Sequence, residues 1–315
     1  MIPLRVAGGS AAAQRFGVVL PIRQNTDTLI HSRPIAMSRD RKFAKGATNM
    51  ERREVLKTMA IAGLAAGAGG ATANAQTTAQ IFVLVHGAWH GGWCWSRVAD
   101  RLRTAGHQVF TPTQTGLGER KHLLSKDITL DTFIKDIVNV IEAEELSNVI
   151  LVGHSFGGLA ISGTADVMPD RIRHLVYLDS LMVEGGKSPF DSLPPDIVAA
   201  RRKAAEETSG GLSLPAPPPS AFGVSDAKDT DWVKRRLTPH PLGTYTSTLN
   251  IKGPVGNNLP RTYIHCTTPF YAALQGSRNW VKAQQGWRWA EIATGHDAMM
   301  MAPEELTRML IGVTS

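Results

Sequence analysis

The sequence predicts an α/β fold: a mostly parallel central sheet with helices on both faces and a cap inserted late in the chain. Two observations predict it. From residue 80 onward, short β-branched runs alternate with longer amphipathic stretches, the pattern of βαβ units. The runs are also apolar throughout rather than alternating with polar residues, as in Ile81 to Val85, which marks strands covered on both faces.

In chain order, Ile81 to Val85 reads as the first strand and Trp95 to Ala105 as the helix after it, stopped by Gly106. Gln108 to Thr111 is a second, weaker strand. Asp131 opens a helix running to about Glu145, with Phe133, Ile134, Ile137, Val138 and Ile141 on one face. Val149 to Val152 is the next strand, followed by a helix of small residues. Leu175 to Leu178, Arg261 to Cys266 and Trp287 to Ile292 are further strands, and Pro303 to Ile311 is a closing helix. Between about Glu184 and Asn258 the alternation breaks down into a charged helical piece (Asp196 to Glu207), a Pro/Gly-rich stretch and Trp232 to Leu237. A long insertion in a βαβ series reads as a cap over a functional site.

Charge divides the chain. Residues 1–75 hold 11 Lys/Arg against 4 Asp/Glu, leaving 23 of each for the remainder, so the net +7 resides in the leader. The body therefore carries no basic excess suited to nucleic acid. Two cysteines, Cys94 and Cys266, make no disulfide scaffold, and no Cys/His spacing suits a metal. Residues 50–75 resemble a twin-arginine export signal. Arg52-Arg53 precede an Ala/Gly stretch too short and too Gly-rich for a stable membrane span, and Ala73-Asn74-Ala75 suits cleavage. Met50 is then the expected true start, residues 1–49 a non-native or disordered extension, and 76–315 the mature domain. The expected location is periplasmic or secreted, or cytoplasmic if the leader is not used.

Gly153-His154-Ser155-Phe156-Gly157 fits G-x-S-x-G between a buried strand and a helix, the setting of a nucleophile elbow with Ser155 as nucleophile. His86-Gly87-Ala88 follows the first strand. Acyl transfer needs two N–H donors for the oxyanion, and Ala88 and Phe156 are placed to supply them. His86 and His90 could be taken for metal ligands, but no third ligand stands at a sensible spacing. A base must follow the nucleophile in the chain, and His296 lies just after the last strand.

Val83 to Trp95 (VLVHGAWHGGWCW) and Val152 to Gly158 (VGHSFGG) resemble the plant methylesterase and hydroxynitrile lyase family, and more closely its bacterial esterase relatives, over about residues 80–312. The resemblance implies the α/β-hydrolase fold and hydrolysis of small carboxylic or carbamic esters through an acyl-enzyme, with no metal or organic cofactor. Plant members carry the acid after the penultimate strand as Cys-Thr-Glu-Asp. Here that position reads Cys266-Thr267-Thr268-Pro269, with no carboxylate. Asp179, at the end of an earlier strand, is the favoured acid, with Asp297 and Glu291 as alternatives for orienting His296. The lyases place Thr at the position of Gly87 and Lys after the base; Asp297 stands there instead, which argues for hydrolysis. A non-catalytic ligand receptor is the other alternative, opposed by the intact Ser155, His296 and oxyanion loop. Trp89, Trp93, Phe156, Phe190, Trp232, Phe270 and Tyr271, together with Gly87, are candidates for an apolar pocket under the cap or for core alone. The expected partner is a small-molecule ester.

Overall fold

The computed structural model describes residues 78–314. The expected upstream extension, export motif and cleavage site lie outside the described residues. Strand β1 (Ile81–Val85) leads through helix α1 (Ser96–Thr104) to β2 (Gln108–Phe110). Then come α2 (Leu130–Ala143), β3 (Val149–His154), α3 (Gly157–Val167) and β4 (Ile172–Leu178). The cap region holds α4 (Pro195–Ser209), β5 (Ser213–Leu214), α5 (Ala227–Lys234), β6 (His240–Pro241) and α6 (Gly243–Thr246). The chain then returns with β7 (Arg261–Cys266), α7 (Gln275–Ala283), β8 (Arg288–Ile292), α8 (Ala298–Met301) and α9 (Pro303–Ile311).

The main sheet has the order β2-β1-β3-β4-β7-β8, and every neighbouring pair is parallel. Parallel strands need crossover connections, and right-handed crossovers fix which face each helix covers. The chain steps from β1 outward to β2, then doubles back to lay β3 on the other side of β1. That reversal sends α1 and α2 to opposite faces; α9 joins α1, and α3 joins α2. Phe82 to Val85 and all of β3 are buried, as strands covered on both sides must be. In α2 the buried stripe is Phe133, Ile134, Ile137, Val138 and Ile141. It closes against α3 because Gly163 has no side chain there; a Cβ would overlap Ile134. A reversal of strand order leaves a crevice at the carboxyl ends of the strands flanking it. Here those are β1 and β3.

The cap, irregular by sequence pattern, is in fact ordered around the helices α4, α5 and α6 and the antiparallel pair β5–β6. Its regularity escapes the pattern for two reasons. The paired strands are two residues long, and α4 has a single fully buried residue, Ala205. No helix among the described residues is long and apolar enough to cross a membrane.

Ile137 is fully buried in the seam around α2. Ile137→Ala is expected to lower unfolding free energy by about 2–5 kcal/mol through lost burial and a residual cavity. Denaturant titration checks this, and a loss below about 1 kcal/mol would mean the seam is not the core it looks to be.

Candidate active site

β3 ends in a turn whose tightness is set by backbone, not side chains. A Cβ on Gly157 would lie 2.7 Å from the His86 carbonyl and 2.8 Å from that of Val85, and one on Gly153 would lie 2.8 Å from the Gly157 carbonyl. Only glycines let the elbow sit this close to the end of β1. Ser155 between them takes φ 51°, a left-handed conformation that costs a non-glycine residue about 1–3 kcal/mol. It is held there by two backbone hydrogen bonds. The Ser155 N–H donates to the Leu178 carbonyl, and the Leu181 N–H donates to the Ser155 carbonyl, both at 3.0 Å. Trp89 (φ 64°) and Asp179 (φ 39°) are left-handed too, on the neighbouring loops. Three strained residues thus converge on one crevice.

The buried His296 imidazole donates from Nδ1 to Asp179 Oδ2 at 2.7 Å. Because the carboxylate can only accept, Nδ1 carries the proton and Nε2 is left with its lone pair. Asp179 Oδ1 accepts from Arg278 Nη1 at 3.1 Å, and Arg278 is itself buried. Arg278 also donates from Nη2 to the Tyr271 carbonyl at 2.7 Å, and the Tyr271 ring stacks on His296 at 4.3 Å between centroids. From the other side, His154 Nε2 donates to the His296 carbonyl at 3.0 Å. The remaining candidate acids are engaged elsewhere. Asp297 Oδ2 accepts from His90 Nε2 at 3.1 Å, and Glu291 accepts from Trp289 Nε1 at 2.9 Å.

The loop after β1 is fixed by histidines. His86 donates from Nδ1 to the Gly87 carbonyl at 2.8 Å and accepts at Nε2 from the Gln114 N–H at 3.0 Å. Burial drives its pKa down to about 3, so it stays neutral. His90 differs, because both ring nitrogens face acceptors, the Ala88 carbonyl at 2.8 Å and Asp297. Burial alone would lower its pKa, but the charge and hydrogen bond of Asp297 outweigh this and raise it, favouring the protonated ring beside Asp297. His240 accepts the Trp89 N–H at 3.3 Å and is held neutral by burial. Among the described residues the Ala88 and Phe156 N–H groups donate to no protein acceptor. Both residues are buried, and buried backbone donors are seldom left without an acceptor from protein, water or ligand.

A cavity opens above Ser155, lined by Trp89, Phe156, Leu181, Leu193, Arg201, Tyr245, Tyr271, Ala273 and Leu274. Of the aromatic candidates, Trp89, Phe156 and Tyr271 line it. Trp93 does not, since its ring packs between His90 and Trp232. Phe190 is buried behind Tyr245, and Phe270 points to solvent at 54% exposure. Gly87 is not on the lining either; a Cβ there would lie 2.9 Å from Ser155 Cβ. Arg201, Tyr245 and Arg278 were not singled out by sequence reasoning. The partners of Arg278 and Arg201 are far away in the chain, and neither falls in a motif.

The profile of the alpha/beta hydrolase family matches residues 82–309. The chain is 42% identical over 243 residues to the carbendazim hydrolyzing esterase of Nocardioides sp. (strain SG-4G), covering 73% of this chain and 97% of that one. It is 26% identical over 250 residues to methylesterase 7 of Arabidopsis thaliana, covering 74% and 95%. Among solved structures, an extracellular alpha/beta-hydrolase from a Paenibacillus species has the same fold, with a TM-score of 0.65, 24% identity and coverage of 74% and 98%.

His86, His154 and His240 are all buried with pKa values pushed below the ordinary 6.5, so the unfolded chain binds protons that the fold refuses. Stability is therefore expected to fall as pH drops below about 6.5, with a slope approaching one proton per histidine. His90, raised instead, contributes stability that is complete below 6.5 and is lost only as pH rises through its folded value. Denaturant midpoints measured from pH 7 to pH 5 check this; a flat profile would contradict the burial of neutral imidazoles.

Proposed function

The chain belongs to the alpha/beta hydrolase family, and from that membership we propose that it is a serine-dependent carboxylic ester hydrolase working through an acyl-enzyme. The observation that carries the reading is the connection from Asp179 Oδ2 to His296 Nδ1 at 2.7 Å, beside a strained Ser155 and two unclaimed N–H donors. In this mechanism His296 Nε2 takes the Ser155 hydroxyl proton as Oγ attacks the ester carbonyl. The Ala88 and Phe156 N–H groups receive the oxyanion, where preorganised donors lower the barrier most. Collapse of the tetrahedral intermediate breaks the bond to the alcohol oxygen, which leaves with the proton from His296. Water then repeats the sequence and releases the acid. Asp179 holds the imidazole in the required tautomer and stabilises its charged form.

The substrates we propose are small carboxylic or carbamic esters with apolar or aromatic parts, in keeping with a cavity walled by Trp89, Phe156 and Tyr271. The Nocardioides relative's name, which refers to carbendazim hydrolysis, supports the same range. Two features weigh against cyanohydrin cleavage. A side chain at residue 87 would collide with Ser155, and Asp297 offers a carboxylate, committed to His90, where the lyases of this resemblance have a lysine.

Ser155→Ala is expected to lower kcat on p-nitrophenyl esters by a factor on the order of 10⁵ to 10⁶. Asp179→Asn should cost on the order of 10⁴ with the fold retained. Stopped or initial-rate assays on the folded variants check both. Near-normal turnover in the serine variant would end the hydrolase reading, and in the aspartate variant would move the acid elsewhere. We also propose export through the leader; N-terminal sequencing of protein from the source cell should find a chain beginning near Gln76, and an intact leader on cytoplasmic protein would refute it.

A further inference from the structure

The inner stripe of the cap helix α4 contains a residue that breaks its own pattern. Val198, Arg201 and Ala205 fall at helical spacing on the side that turns toward the protein, while Ala199, Ala200, Arg202 and Lys203 are exposed. An arginine in the middle of an inward stripe contradicts the amphipathic rule, and such contradictions cluster at functional sites. Arg201 lines the same cavity as Ser155, and it is the one charged side chain among the described residues that do so. Its guanidinium lies 5.2 Å from the centre of the Tyr245 ring, and that ring packs at 4.6 Å on Phe156, the residue after the nucleophile.

Among the described residues no carboxylate pairs with Arg201. The ion pairs within the cap join Lys203 to Glu207 and Arg235 to Asp231, and none among the described residues includes Arg201. Its nearest polar neighbours are neutral. Burial pushes the Tyr245 phenol up to about 12, raises Tyr271 also, and holds His240 well below the ordinary histidine range. A cation in a partly desolvated apolar cavity, facing only neutral groups, is a poor arrangement for the empty protein and a good one for an anionic ligand.

We infer that Arg201 makes this pocket selective for esters that carry a carboxylate beyond the scissile bond, such as half-esters of dicarboxylic acids or esters of hydroxybenzoates. The inference rests on the ester hydrolase reading and names the substrate class of that site. Arginine suits the task because its planar fork pairs with both carboxylate oxygens, whereas apolar esters gain nothing from it. The contact is remote from the reacting carbonyl, so it acts on ground state and transition state alike and appears chiefly in KM.

The test uses two substrate pairs that differ only in charge: monoethyl glutarate against its uncharged half-amide, and para-acetoxybenzoate against para-acetoxybenzamide. The full chain, Arg201→Met and Arg201→Lys are compared by the ratio of kcat/KM within each pair. The expected result is a preference of roughly tenfold or more for the charged member of at least one pair. That ratio should collapse in Arg201→Met, chiefly through KM, and be partly kept in Arg201→Lys. Equal rates on both members, or a ratio that survives in Arg201→Met, would overturn the inference while leaving ester hydrolysis intact. A fall of both members by the same factor would overturn it too, making Arg201 a donor to neutral carbonyls. If no ester is turned over, the hydrolase reading fails. Calorimetric titration of monoethyl glutarate into the full chain and Arg201→Met then decides the anion site alone. Binding lost in the variant upholds it, and equal or absent binding refutes it.

Discussion

The carbonyls of Val85 and His86 lie so near the start of α3 that residue 157 can have no side chain, and the arrangement of the crevice follows from that approach. β1 and β3 are neighbours in perfect register, Val85 opposite Gly153. The loops that leave them would diverge if any side chain stood between. Pressed together, they set residue 87 against Ser155, where a Cβ would lie 2.9 Å from Ser155 Cβ, and Ser155 takes its left-handed turn at this approach. Strain of this kind persists only where the surroundings over-determine it. Here the hydrogen bonds from β4 and its following loop do so.

Apart from Arg201 of the cap, the charge in the crevice lies in two buried groups that share no side chain. Asp179 lies between Arg278 and His296, while Asp297 answers His90 and stands 3.9 Å from His154. Taking ions out of water is costly, and each carboxylate is compensated by a partner of opposite charge or by a hydrogen-bonded imidazole. The pairing also separates duties. One carboxylate addresses the His296 imidazole, and the other fixes the carbonyl of Ala88 through His90 and so the plane of the peptide that follows. Two other buried rings, neutral because burial disfavours their charge, hold the Gly87 carbonyl (His86) and the Trp89 N–H (His240).

Much of this was legible in the chain. The apolar strand runs, the α2 stripe and the G-x-S-x-G turn are local signals, each written in fewer than fifteen consecutive residues, and local signals survive translation into structure. The favoured Asp179 was visible because it ends a strand, as a residue bound for the crevice must. Arg278 was not, since its meaning comes from a carboxylate 99 positions away. Nor was the His90–Asp297 pair, separated by 207 positions. The aromatic candidates show the converse limit. Trp89 and Trp93 are equally apolar and four residues apart, yet the 3₁₀ turn that starts at Gly92 sends Trp93 against Trp232 instead of toward Ser155. Composition marks a side chain as buried without saying which interior it fills.

The cap is stitched to the loops it covers. Trp89 donates its indole N–H to Leu214 and its backbone N–H to His240, and its carbonyl receives the Thr238 N–H. The Asp297 N–H likewise donates to the Phe222 carbonyl. These cap residues therefore belong to the scaffold that sets the geometry of Ala88 and His296. A change at Leu214, Phe222, Thr238 or His240 would disturb the chemistry beneath the cap along with recognition, whereas α4, which carries Arg201, makes none of these hydrogen bonds. At those stitched positions specificity and catalytic speed are one linked trait, while α4 is a place where specificity can change alone.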